Sequence, residues 1–212
     1  MSLDDYTIII PARKGSKGLP LKNRKLINYT ISSIPSNLKH KVVISTDDEE
    51  IKNKFSDFKI FNRTQKSAND TASIKSVILE MKEKIKTKNI IMLYLTYPER
   101  KFEDIISAVC FYESNKAKSL LCSKKISSSP YLMLFKKGIK GQQVIQHNLY
   151  RRQDYPECFE LSHFVCIFNT EELDKLNNNL YNEDTIFYPI EEVVDVDAKK
   201  DLERFHENKN NS

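Results

Sequence analysis

The sequence predicts an α/β fold built on a mostly parallel sheet with right-handed crossovers. Three observations carry that expectation. Short, wholly apolar runs recur along the chain, as strands buried on both faces require. Segments with apolar residues at helical spacing lie between them. The alternation then breaks once, after Pro130, where a hairpin-like stretch interrupts it before strand–helix order resumes.

The elements follow in order. Thr7–Ile10 reads as the first strand, ended by Pro11, and Lys41–Ser45 and Asn89–Leu95 read the same way. Asp70–Lys86 places Ile74, Val77, Ile78, Met81 and Ile85 on one helical face, with Asp70 available as a cap. Phe102, Ile105, Ile106 and Val109 repeat the pattern in the next helix. Tyr131–Phe135 and Gln143–Gln146 flank Lys136-Lys-Gly-Ile-Lys-Gly141, a hairpin or small flap. Phe164–Phe168 and Glu192–Val196 read as closing strands, and a last helix is expected near Ala198–His206. The organisation expected is one domain over residues 1–207, with the flap at about 131–164 and a frayed polar tail at 208–212.

Composition narrows the function classes. A chain of 212 residues with 40% hydrophobic content can bury about 70% of its unfolded surface, so no disulfide or metal staple is needed. The longest apolar run, Ile90 to Leu95, is far short of the 18 or so residues that span a bilayer. The acidic start Met1-Ser-Leu-Asp-Asp-Tyr does not read as a signal peptide, which places the expected location in the cytoplasm. Cys110, Cys122, Cys158 and Cys166 match no zinc or redox spacing and read as reduced, semi-buried apolar side chains. The net charge of +5 is spread along the chain rather than gathered in a basic–aromatic stripe, which argues against nucleic acid and suits a small anionic substrate.

The chemistry concentrates in Ile8-Ile-Ile-Pro-Ala-Arg-Lys-Gly-Ser-Lys-Gly-Leu-Pro-Leu-Lys-Asn23. Two of only 4 glycines, Gly15 and Gly18, stand directly after the first strand, where backbone amides can approach an anion. Arg13, Lys17 and Lys22 add cations and Ser16 a hydroxyl. Loops at the carboxyl ends of such strands are where open α/β sheets bind ligands. The glycine spacing fits neither a Walker loop nor a dinucleotide fingerprint. The competing reading is a solvated basic turn.

This stretch resembles the N-terminal signature of the acylneuraminate cytidylyltransferases, through Ala12, Arg13, Ser16, Lys17, Gly18, Leu19, Pro20, Lys22 and Asn23. Four further segments resemble the family in the same order: Val42–Ile51, Asn69–Ser73, Arg152-Gln153 with Pro156, and Val194-Asp-Val-Asp-Ala198 followed by Asp201. The resemblance implies a Rossmann-like nucleotidyltransferase fold and a homodimer joined through the flap. It implies that CTP and a small acidic sugar react, with Mg²⁺, to give a CMP-linked product and pyrophosphate. Arg13 and Lys22 would then stabilise charge on the departing pyrophosphate. Ala12, Ser16, Lys17, Asn23, Arg63 and Ala72 would contact the nucleotide, although Arg63 reads equally as a solvated surface charge. Asp195 and Asp197, alternating along an expected strand, would hold Mg²⁺; Asp197 also stands where a cap for the last helix belongs.

The sequence departs from the family pattern on the acceptor side. The turn that usually follows Asn23 is shortened, and the central Gln-Pro-Thr-Ser-Pro becomes Tyr94-Leu-Thr-Tyr-Pro98. An Asn-Gly pair becomes Ser162-His163, and Glu160 occupies the place of an arginine. Tyr94, Arg152, Gln153 and Glu160 are the acceptor candidates, and the altered charge at Glu160 makes N-acetylneuraminate itself a poor acceptor in this reading. His163 reads as a half-buried structural residue. A different small acid or phosphorylated acceptor, and a catalytically silent nucleotide-binding protein, are the rival readings.

Overall fold

The computed structural model describes residues 2–210 except Lys17, Asp70, Thr71 and Ser127, together with the side chains of all of these but 65, 66 and 210. The strands are β1 (Tyr6–Pro11), β2 (Val42–Thr46), β3 (Lys59–Asn62), β4 (Asn89–Met92), β5 (Ser119–Lys125), β6 (Leu134–Lys137), β7 (Lys140–Gln143), β8 (Phe159–Asn169) and β9 (Ile186–Ile190). The helices are α1 (Lys22–Ser32), α2 (Glu49–Lys54), α3 (Gln65–Ala68), α4 (Ile74–Met81), α5 (Phe102–Ser114) and α6 (Lys199–Asn210).

Seven strands form one sheet in the order β3-β2-β1-β4-β8-β5-β9. All neighbours are parallel except that β8 runs against both β4 and β5. The sheet is buried on both faces, as the continuous apolar runs require. Alternate residues of β1 divide between the two layers: Ile8 and Ile10 pack with Leu26 and Ile27 of α1 and Ile105 and Val109 of α5. Ile9 turns to the opposite side, against Val77, Ile78 and Met81 of α4. Each fully buried Ile or Leu contributes about 1.5–3 kcal/mol of transfer free energy.

Several expected boundaries move. The helix expected over Asp70–Lys86 begins at Ile74, because the Ser73 hydroxyl accepts the Ser76 amide and caps it there; Asp70 lies outside the described residues. That helix gives way to a tight turn at Lys82–Lys84. Residues 192–196 are not a strand: the segment is extended but has no ladder partner, and the sheet ends at β9 instead. β9 carries Pro189, which an edge strand tolerates because one of its sides needs no donor. The last helix continues to Asn210, beyond the expected His206. Cys122 and Cys166 are core residues as expected, whereas Cys110 is exposed. No helix among the described residues is long and apolar enough to cross a membrane.

Residues 131–158 leave the sheet body; the expected flap ends short of residue 164, because β8 enters the sheet at Phe159. Here β6 and β7 form an antiparallel hairpin whose tight turn is made possible by Gly138, at φ 61°. Leu134, Phe135 and Ile139 on this hairpin are exposed.

One ion pair locks α1 to the β2–α2 corner. The buried Asp48 carboxylate caps α2 through the Glu50 amide and receives Arg24 Nε at 2.7 Å and Nη2 at 2.9 Å. Burial alone would raise the Asp48 pKa; the Arg24 and Glu50 hydrogen bonds outweigh it and hold the pKa below the usual carboxylate range. A depressed native pKa means that this contribution is complete above the unfolded value of about 4 and is lost as pH falls through the native one. Arg24→Met is expected to lower the melting temperature at neutral pH and to flatten its decline in acid. Parallel acid profiles for the two proteins would contradict this.

Candidate active site

β1 sits where the strand order reverses, with β2 and β3 on one side and β4 on the other, which is the topological position at which such sheets bind ligands. A cleft of about 240 Å³ opens there. It is lined by Arg13, Gly15, Ser16, Lys22 and Asn23 from the first loop, Arg63 and Ala72 from the segment after β3, and Tyr94 and Thr96 after β4. Seven of the candidate residues thus meet in one place: Arg13, Ser16, Lys22, Asn23, Arg63, Ala72 and Tyr94. Lys17 lies outside the described residues.

The loop that carries them is held by its own sequence. Ala12 lies beneath the cleft rather than lining it, fully buried, its amide bonded to Ser45 O at 2.8 Å and its carbonyl accepting the Thr46 hydroxyl. Asn23 donates its side-chain amide to Arg13 O at 2.7 Å, and Asp47 accepts the Lys14 amide at 2.7 Å. Two glycines have different jobs here. Gly15 faces open space, whereas a Cβ on Gly18 would run into the backbone carbonyl oxygen of Asp197. Lys22 and Asn23 form the first turn of α1, whose N-terminal amides add partial positive charge.

Arg63 is not a solvated surface charge. Its Nε donates to the Ser45 carbonyl and hydroxyl at 3.2 and 3.1 Å, which aims the guanidinium from the end of β2 into the cleft. Desolvation and the neighbouring Arg13 lower its pKa to about 10, so it remains charged at neutral pH. Two guanidinium groups this close repel unless an anion lies between them.

Of the two carboxylates, Asp197 is joined to the cleft through Lys22, and Asp195 lies two residues before it. Lys22 Nζ reaches Asp197 Oδ1 at 2.6 Å, and Asp197 is otherwise exposed. Asp197 does not cap α6: Asp201 Oδ2 reaches back to the amides of Asp197 and Ala198 at 3.1 and 2.8 Å and does so itself. Asp195 differs. Its Oδ2 receives the Tyr97 hydroxyl at 2.9 Å, while its Oδ1 is buried and without a hydrogen-bond partner. A carboxylate oxygen left in that state costs about 1–3 kcal/mol or more, and a cation offsets it. The site therefore fits a divalent ion through Asp195. Among the described residues no three His, Cys, Asp or Glu side chains are grouped so as to hold a metal ion by themselves.

The sequence reading passed over Tyr97 as a functional residue. Burial, then Asp195, raises the pKa of its phenol, which keeps the proton it donates. Arg100 stands beyond the end of β4. It is buried without a carboxylate and donates to the carbonyls of Tyr94 at 2.9 Å and Phe164 at 2.5 Å, fixing the strand end from which Tyr94 enters the cleft.

The other acceptor candidates do not line the cleft. Arg152 and Gln153 are exposed in the flap, and Glu160, exposed on β8, pairs with Lys124 at 3.4 Å. His163 bonds Asn179 O at 3.1 Å and packs on Tyr94 at 5.2 Å between ring centroids, a structural part.

A basic loop at the switch point of a mostly parallel sheet, with Asp197 paired to its Lys22, is an arrangement suited to binding phosphate groups. Residues 7–105 match the cytidylyltransferase family model, and the resemblance to the acylneuraminate cytidylyltransferases is borne out. The N-acylneuraminate cytidylyltransferase of Streptococcus agalactiae is 27% identical over 92% of this chain. The chain spans about half, 51%, of that relative's length. The CMP-N,N'-diacetyllegionaminic acid synthase of Legionella pneumophila is also 27% identical, over 82% of this chain and 75% of its own. Among solved structures, a CMP:2-keto-3-deoxy-manno-octonic acid synthetase complexed with CTP superimposes with a TM-score of 0.70 at 14% identity, covering 97% of this chain and 98% of that one. The 4-diphosphocytidyl-2C-methyl-D-erythritol synthase of Anaerococcus prevotii gives 0.62 at 11% identity over 98% and 100% of the two chains. Both establish the shared fold.

Proposed function

We propose that this protein transfers a cytidylyl group from CTP to a small acidic sugar of the nonulosonic type and releases pyrophosphate. The observation that carries the reading is the convergence of Arg13, Ser16, Lys22 and Arg63 on one cleft, with Asp197 paired to Lys22 beside it. Four polar or cationic groups suit a triphosphate, and the carboxylates suit the metal that accompanies it. The relatives named for sialic and legionaminic acids support the acceptor class.

In this mechanism Arg13 and Arg63 bind phosphate oxygens, and the anion removes their mutual repulsion. Lys22 exchanges Asp197 for a phosphate oxygen and stabilises the charge that grows on pyrophosphate as it leaves. Asn23 acts on the loop, holding the Arg13 carbonyl so that its side chain is preorganised. Ser16 donates to a phosphate oxygen. Mg²⁺, held by Asp195 and by Asp197 once Lys22 has turned away, would supply Lewis-acid charge neutralisation on the phosphates. Ala72, with backbone carbonyls near Arg63, reads the cytosine 4-amino group.

The test is pyrophosphate release with Mg²⁺, each nucleoside triphosphate and a panel of nonulosonic acids. CTP is expected to exceed UTP by at least ~10-fold in kcat/KM, the scale set by losing one buried polar contact. Equal rates with CTP, UTP and ATP would remove the cytidylyl assignment.

A second copy of the chain is the partner we assign to the flap. Its exposed Leu134, Phe135 and Ile139, with Phe159 at the start of β8, are more apolar surface than one protomer covers. Sedimentation at micromolar concentration is expected to give twice the chain mass, and Leu134→Asp with Phe135→Asp to halve it. A monomeric parent protein would refute this. Four free cysteines suit a reducing compartment, the cytoplasm.

A further inference from the structure

Tyr97 and Ser162 are two positions at which the sequence departs from the pattern it otherwise resembles, and the fold brings them together. Tyr97 leaves the end of β4 and Ser162 lies in the middle of β8, 65 residues later, both buried. The Phe164 amide donates to Ser162 Oγ at 3.3 Å. The Ser162 hydroxyl donates to the Tyr97 oxygen at 3.3 Å, and the Tyr97 hydroxyl donates to Asp195 Oδ2 at 2.9 Å. Each hydroxyl in this chain accepts one hydrogen bond and passes one on in the same direction. The series begins on a backbone amide of the sheet and ends on a carboxylate. One oxygen of that carboxylate is used and the other, Oδ1, is buried with no partner.

We propose that Ser162 and Tyr97 form a directed relay that fixes the rotation of the Asp195 carboxylate, so that its second oxygen is presented to a divalent cation. Tyr97 is then a positioning residue, acting on the metal through Asp195. The segment that carries Asp195 needs such a device because it belongs to no ladder. Its neighbours are held by single bonds, Val196 N to Thr96 O at 2.7 Å and Val194 N to Glu99 Oε2 at 3.1 Å. Those contacts place the backbone beside Tyr97 but leave the carboxylate free to turn. The hydroxyl relay supplies the missing constraint, anchored on β8 rather than on the segment itself. Partners of this kind, one shell removed from the metal, orient ligands and raise their effective affinity.

The inference rests on the metal-dependent nucleotide reading given above, and the test separates the two. CTP affinity is measured by calorimetry in EDTA and across a Mg²⁺ titration, without acceptor, for the parent protein, Tyr97→Phe, Ser162→Ala and the double variant. Tyr97→Phe is expected to raise the Mg²⁺ concentration for half-maximal tightening about 10- to 100-fold. Its metal-free CTP affinity is expected to stay within about twofold, since Tyr97 is not among the cleft-lining groups. Ser162→Ala is expected to shift the midpoint in the same direction by less, and the double variant to match Tyr97→Phe, because one relay is broken once. An unchanged Mg²⁺ midpoint in folded Tyr97→Phe, or an equal loss of metal-free CTP affinity, would overturn the proposal while leaving the cytidylyl reading intact. A parent protein whose CTP affinity ignores Mg²⁺ would overturn both. Should Tyr97→Phe fail to fold, Ser162→Ala decides alone: an unshifted midpoint overturns the relay.

Discussion

Arg13→Ala is expected to lower kcat by at least ~10²-fold and to leave the fold intact. The size follows from preorganisation: a donor already aimed at developing charge is worth about 2.7–4 kcal/mol, or two to three decades in rate. Arg13 meets that description because its backbone is fixed on both sides. Ala12 is bonded to the end of β2, and the Arg13 carbonyl is gripped by Asn23. The side chain itself lines the cleft and carries no part of the core. Melting should therefore stay within about 0.5 kcal/mol of the parent. Steady-state pyrophosphate release and circular dichroism melting are sufficient to decide. Near-normal turnover would remove Arg13 from the site.

Asp195→Asn should separate activity from stability in opposite directions. Mg²⁺-dependent turnover is expected to fall by at least ~10²-fold, because the oxygen left without a partner is the one available to the ion. The metal-free protein is expected to melt at the parent temperature or above it. Replacing a half-buried carboxylate by an amide removes the desolvation cost of the charge while the Tyr97 hydroxyl retains an acceptor. Asp197→Asn is expected to be milder in rate, since Asp197 is exposed and bound to Lys22. A rate loss there would not report on helix capping, which Asp201 performs. A clear fall in metal-free stability for Asp195→Asn would mean that the carboxylate is structural.

What the sequence disclosed, and what it did not, divides along physical lines. β1, β2 and β4 were legible because strands covered on both faces must be apolar throughout. β9 was not, since Pro189 interrupts its run and only its edge position allows a proline. β5 carries an irregularity near Leu120 and Cys122 that breaks its pattern. Within the site, the first loop was legible because glycines, cations and a strand end coincide there. The expected strand at 192–196 failed because alternation in sequence says nothing about whether a neighbouring strand exists; here the neighbour is the loop after β4. Tyr97 stood out only as a departure from the family pattern, with nothing nearby to point to its partner. Its partner Asp195 is 98 residues away, and only the fold brings the two together.

The same arrangement has a consequence for the order of events in time. Residues 194–197 are made after every strand of the sheet; their backbone is held by few hydrogen bonds, and Val194 and Val196 are buried in the core. The sheet can therefore form, and persist, with this latch undone. Opening this segment costs the burial of Val194 and Val196 but breaks no ladder, which places it below global unfolding in free energy. Hydrogen exchange should register this directly. The amides of Val194 and Val196 are expected to exchange far faster than those of Ile8 and Ile10, and to slow when CTP and Mg²⁺ close the latch over the loop.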